Sequence, residues 1–140
     1  MDLKAFLQPP VLNETKKVIV SKRFKGEDGN PVPFTIRVID QETNNKLIRQ
    51  ATERKKEGGR IVKELNEDKY GKLLVQACVV EPDFRRKELC DHYRTVDPLE
   101  VPTRMLSVGE YNRLVLAIRE LNEITATDQE LFDLEEEVKN

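Results

Sequence analysis

The side chains best suited to nucleophilic, redox or metal chemistry are gathered in one stretch, VQACVVEPDFRRKELCDHYR, which holds Cys78, Cys90 and His92, both cysteines and the only histidine of the chain. A structural zinc site takes four Cys or His ligands, and an open catalytic site takes three plus water. The supply here ends at three, and Cys90 and His92, two positions apart on one helix, point in different directions. A Cys–His nucleophilic pair needs thiolate and base in hydrogen-bond reach, with a third group orienting the base. Cys78 falls on an apolar helical stripe, where burial raises a thiol pKa and the side chain acts as a small hydrophobe. The two cysteines therefore read as core residues and His92, beside Asp91, as a helix-surface residue. No catalytic residue, cofactor site or metal site is expected.

Other reactive signatures are incomplete. Gly26-Glu27-Asp28-Gly29 lies between two strand-like runs, not between a strand and a helix, so it is not a phosphate loop. Gly58-Gly59 lacks the Lys-Ser/Thr continuation such a loop requires. The many carboxylates are spread over helix faces, which is a solvation pattern.

Positioning these residues requires a scaffold, and 140 residues is the size of one domain, able to bury roughly two-thirds of its unfolded surface without disulfide or metal. Hydrophobic residues make up 38% and charged residues 36%, a modest core in a heavily solvated shell. The lack of Trp and the low aromatic content argue against a sugar-stacking or base-stacking surface. The N-terminus lacks a basic start with a sustained apolar run, and no segment approaches the ~18 apolar residues of a membrane span. A reducing cytoplasm with free thiols is the expected setting.

Along the chain, Leu3, Phe6 and Leu7 have helical spacing before Pro9-Pro10, in a piece too short to be stable undocked. KKVIVSKRF and VPFTIRVI flank a Gly-containing turn and predict a β-hairpin, with Val18 and Val20 on one strand and Phe34, Ile36 and Val38 on the other facing inward. Asp40 predicts a helix cap, followed by a helix through Lys56 with Leu47, Ile48 and Ala51 inward and Glu57-Gly58-Gly59 ending it. RIVKEL, residues 60–65, reads as a short third strand or a linker.

Asn66 opens the most regular helix, whose stripe is Tyr70, Leu73, Leu74, Ala77 and Cys78, with Pro82 as its stop. Asp83 predicts the cap of a shorter helix through Tyr93. Asp97-Pro98 marks another start, which Pro102 keeps short. Ser107 and Glu110 have capping-box spacing ahead of Tyr111, Leu114, Val115, Ile118 and Leu121. Thr127 and Glu130 repeat that device before Leu131, Leu134 and Val138. The fold class is α+β: an N-terminal β-hairpin followed by a bundle of four to five helices.

Charge divides the chain. From Glu120 to Asn140 eight acids face one base, so with a total of −2 the first 119 residues carry +5. Residues 1–124 read as one domain and 125–140 as an acidic amphipathic helix. Its narrow seam of Leu131, Leu134 and Val138, with Phe132 to one side, either folds back on its own domain or reaches a partner. The basic clusters Lys16, Lys17, Lys22, Arg23, Lys25 and Arg49, Arg54, Lys55, Lys56, Arg60, Lys63 are interrupted by acids and carry no interleaved aromatics, which makes nucleic-acid binding the weaker reading.

The succession KAFL, VIVSKRF, EDGNPVPF, the basic helix, KLLVQACVVEP and RMLSVGEYNRL resembles the phage XkdN-like tail assembly chaperones of Bacillus prophages, over roughly residues 1–124. The resemblance implies a non-enzymatic protein that binds the aggregation-prone tape measure protein, keeps it soluble, helps recruit tail tube protein and is absent from the finished particle. It also implies a homo-oligomer in the host cytoplasm, with no membrane partner. A long helical client calls for exposed amphipathic pieces, and the candidates are Leu3, Phe6 and Leu7 at one end and Leu131, Phe132, Leu134 and Val138 at the other. The rival readings are a structural tail component, such as a connector or tube-associated protein, and, less favoured, a small nucleic-acid-binding regulator.

Overall fold

In the computed structural model, residues 1–9 and 14–124 are described; the expected 125–140 helix with Leu131, Phe132, Leu134 and Val138 lies outside them. Leu3–Phe6 forms a 3-10 turn capped by Asp2, whose carboxylate accepts from the Lys4 amide. The hairpin expected next is present. Strand β1 (Thr15–Val18) pairs antiparallel with β2 (Phe34–Arg37), Val18 opposite Phe34 and Thr15 opposite Arg37. Alternation sends Phe34 and Ile36 into the core and leaves Arg37 exposed, while Val38, past the strand end, is only half-buried.

Asp40 caps α1 (Gln41–Ala51) by accepting from the Thr43 amide at 2.8 Å. This helix is shorter than its sequence predicts. It stops at Ala51, and the chain turns directly into β3 (Thr52–Glu57), which pairs residue for residue with β4 (Arg60–Leu65). Gly58 and Gly59 do not cap a helix; they form the two-residue loop between the strands, with φ of 55° and 80°, the positive values that a tight right-twisted hairpin loop requires. RIVKEL is thus neither a linker nor part of the main sheet but one arm of a separate ribbon. Ile48, expected inward, is 36% exposed, while Leu47 and Ala51 are buried.

Asn66 caps α2 (Glu67–Cys78), accepting from the Lys69 amide. Its buried face is Leu74, Val75 and Cys78, with Tyr70, Leu73 and Ala77 half-buried beside it. The helix ends four residues before Pro82, because the backbone extends at Val79 into β5 (Val79–Glu81). That strand pairs antiparallel with β2 through an irregular register and completes a three-stranded sheet in the order β1-β2-β5.

Asp83 does not cap the following helix. Its carboxylate accepts from the Arg85 amide, and α3 (Lys87–His92) starts after Arg86 with no side-chain cap. A 3-10 turn at Pro98–Glu100, capped by Asp97, leads into the short α4 (Val101–Met105). The Ser107/Glu110 capping box forms as expected and opens α5 (Val108–Leu121). One core joins sheet and helices: Val20, Phe34, Ile36, Leu47, Val75, Cys78, Phe84, Val101, Leu114 and Ile118 all belong to it. The architecture is α+β.

Candidate functional site

The thiols and the imidazole do not assemble. Cys78 is fully buried, and desolvation pushes its thiol up to about 11, against the smaller opposing influences of Arg37 and of Asn122, whose Nδ2 lies 3.8 Å from Sγ. Cys90 is buried and its Sγ donates to the Phe84 carbonyl at 3.4 Å. His92 is exposed and meets Tyr93 edge-on. Among the described residues no three His, Cys, Asp or Glu side chains converge as metal ligands would. A buried protonated thiol is a poor nucleophile, so this stretch contributes packing.

The molecule's most distinctive polar geometry lies instead at Arg23 and Glu110. The loop between β1 and β2 is held by the Val32 amide donating to the Phe24 carbonyl at 2.7 Å, and by Asp28 accepting from the amide of Asn30. This conformation projects Arg23 onto the start of α5. Its Nε and Nη2 each donate to a Glu110 carboxylate oxygen at 2.8 Å, a bidentate pair, and Nη2 also donates to the Met105 carbonyl. Glu110 is 5% exposed and accepts the Ser107 amide as well. The Arg23 guanidinium, the Ser107 amide and the Ser21 hydroxyl hold its carboxyl well below the usual carboxylate range. The guanidinium also stacks over the Phe24 ring, 4.3 Å from its centroid.

Beside this pair a mostly apolar crevice of about 320 Å³ opens between Phe24, Val32, Pro33, Phe34, Pro82 and Met105, with Glu81 as its one charged lining residue. The Phe24 and Phe34 rings pack at 5.8 Å between centroids. Arg23 fixes two walls of this crevice, because it touches both Phe24 and the Met105 carbonyl. Such a crevice suits an apolar side chain of a protein partner; its single carboxylate, Glu81, has no second polar lining group to converge with.

The sequence-predicted interaction residues are partly visible. Leu3, Phe6 and Leu7 are 57%, 72% and 70% exposed on their 3-10 turn and join no core cluster. Arg23 and Glu110 were not foreseen as partners, since 87 positions separate them. The capping-box carboxylate at Glu110 and the basic SKRF run are both legible in the sequence, but neither identifies which basic residue meets that carboxylate. Of the basic clusters, Arg23 is thus spent on Glu110, while Arg54, Lys55, Lys56, Arg60 and Lys63 lie on the ribbon. Asn122, which no sequence motif marks, ties the end of α5 to the sheet through Ile39 and Arg37.

No helix among the described residues is long and apolar enough to cross a membrane. Residues 3–139 match the family described as phage XkdN-like tail assembly chaperone protein. The chain is 40% identical to the phage-like element PBSX protein XkdN of Bacillus subtilis strain 168, over 99% of this chain and 94% of that protein. It is 41% identical to the protein YqbN of the same strain, over 99% of this chain and 93% of that one. The crystal structure of the protein YqbN superimposes with a TM-score of 0.73 at 32% identity, covering 88% of this chain and 97% of that one.

Proposed function

The chain belongs to the phage XkdN-like tail assembly chaperones, and from that premise we propose that it is a non-catalytic chaperone that binds the tape measure protein, keeps it soluble and helps recruit tail tube subunits. It acts in the host cytoplasm by reversible binding, as a homo-oligomer, and leaves before the particle is finished. Residues 1–124 act as the folded body and 125–140 as an acidic arm. The observation that supports this most is the apolar turn of Leu3, Phe6 and Leu7, which buries none of its residues. Exposing a Phe and two Leu in one turn forgoes burial stabilisation of roughly 1.5–3 kcal/mol per side chain, a loss that a partner can recover. The crevice beside Phe24 offers a second apolar contact.

Co-expression with the tape measure protein of the same gene cluster is the test. The client is expected in the soluble fraction only when this chain is present. Phe6→Asp with Leu7→Asp should lower the soluble client severalfold while leaving the chaperone's own melting temperature unchanged. If the client is equally soluble, and tail length unchanged, without this protein, the reading fails. Stoichiometric presence of the chain in purified particles would instead identify a structural tail component.

A further inference from the structure

The β3–β4 ribbon sorts its side chains in a way that its sequence conceals. Directly opposed residues share a face, so the register puts Thr52 with Leu65, Arg54 with Lys63 and Lys56 with Ile61 on one side. The other side holds Glu53 with Glu64, Lys55 with Val62 and Glu57 with Arg60, and there Lys55 and Glu64 form an ion pair at 2.9 Å. The first face therefore carries three cations and no acid, set between Ile61, 65% exposed, and Leu65, 39% exposed. Among the described residues, no ion pair reaches Arg54, Lys56 or Lys63. Arg54 directly opposite Lys63 is a like-charge pair, which weakens a ribbon until an anion neutralises it. Two-stranded ribbons are marginal alone, so a cationic and apolar face left bare is a cost that a partner removes.

We propose that this face is covered by the chain's own acidic C-terminal segment, residues 125–140. Its chemistry is complementary: Asp128, Glu130, Asp133, Glu135, Glu136 and Glu137 against Lys139, interspersed with Leu131, Phe132, Leu134 and Val138. Its point of departure also fits. Ile124 is anchored by its amide to the Arg119 carbonyl at 2.8 Å and lines a shallow crevice with Asp40, Gln41 and Asn44, at the start of α1. The helix α1 spans ~16 Å at 1.5 Å per residue and delivers the chain straight into β3, whose six residues add ~20 Å. Five residues beyond Ile124 can reach at most ~17 Å, about the length of α1, so the ribbon is within reach of the acidic run from Glu130 to Glu137. The inference does not depend on which client the chaperone binds.

Carbodiimide cross-linking of the full-length protein, with peptide mapping by mass spectrometry, tests it, because the reagent joins carboxylates to amines already in contact. The links expected are from Lys56 and Lys63 to acids within 128–137, and in an equal mixture of light and heavy-isotope chains they should be within one chain. Arg54→Glu, which leaves both lysines in place, should lower their yield at least about threefold, and Arg54→Lys should restore it. Raising salt from about 0.1 to 1 M, which shrinks the screening length from ~10 to ~3 Å, should lower it similarly. The Lys55–Glu64 link reports in every variant that the ribbon remains folded. Tail links spread over surface lysines such as Lys16, Lys46 and Lys87, links only between chains, or yields indifferent to Arg54→Glu while Lys55–Glu64 persists would each overturn the proposal.

Discussion

Replacing Asn122 by alanine isolates what fastens α5 to the sheet. Asn122 follows the last residue of α5 and is half-buried. Its Oδ1 accepts from the Ile39 amide at 2.8 Å, and its Nδ2 donates to the Ile118 carbonyl at 2.9 Å and the Arg37 carbonyl at 3.3 Å. One side chain thus closes the C-terminal turn of α5 and joins it to the end of β2, beside the Cys78 thiol. Asn122→Ala leaves the Ile39 amide and the Arg37 carbonyl without this partner. A buried polar group deprived of its partner costs about 1–3 kcal/mol, and the lower end applies to a half-buried site. With the Ile39 amide half-buried and the Arg37 carbonyl exposed, the loss is about 1–2 kcal/mol, a substantial part of a total stability of roughly 5–15 kcal/mol. The assay is equilibrium urea unfolding followed by far-UV circular dichroism. At a slope of roughly 1–3 kcal/mol per molar, the midpoint should fall by about 1 M with the slope unchanged. Asn112→Ala, at an exposed position of the same helix, should change stability by less than about 0.5 kcal/mol. If Asn122→Ala is as mild as Asn112→Ala, the hydrogen bonds to Ile39 and Arg37 do not hold the helix in place.

Other consequences are equally open to measurement. The folded-state pKa of Glu110 is depressed, so its contribution is complete above the unfolded value of about 4.3 and is lost as pH falls below it; Glu110→Gln should flatten the acid limb of a stability–pH curve, and an unchanged limb would contradict the role of Arg23. The Cys78 thiol is raised to about 11 by burial, so its contribution is present below the unfolded value near 9 and fades as pH rises toward 11. At pH 8 a disulfide reagent should therefore modify neither buried thiol promptly but both on adding urea, and rapid reaction of Cys78 in the native protein would refute its placement. Gly59→Val forces a β-branched residue to φ 80°, a strain of about 1–2 kcal/mol; nuclear Overhauser contacts between β3 and β4 should vanish while those around Leu114 persist.

Much of the fold is written locally. Each feature read correctly depends on residues within one turn or one alternation: Asp40, Asn66 and Ser107 as caps, Phe34 and Ile36 as one strand face, Leu114 and Ile118 as one helix stripe. The misreadings share a cause. Thr52–Glu57 has no apolar alternation, so only its pairing with Arg60–Leu65 across Gly58-Gly59 makes it a strand. Val79–Glu81 continues an apolar helical pattern, and it extends because β2 offers it a free edge. The N-terminal apolar residues were legible as an amphipathic piece and as candidate exposed contacts, but that they join no core among the described residues was not, since docking depends on elements far along the chain.

The sequence by itself determined the class, most of the caps, most of the core and the family, because these rest on short-range chemistry and on residue order. Only the tertiary structure decided that Arg23 belongs to Glu110, that Asn122 bridges Ile39 and Arg37, and that Arg54, Lys56 and Lys63 share a face. Those pairings join residues far apart in the chain or depend on strand register, where a slip of one position exchanges the faces. Local pattern carries no record of them.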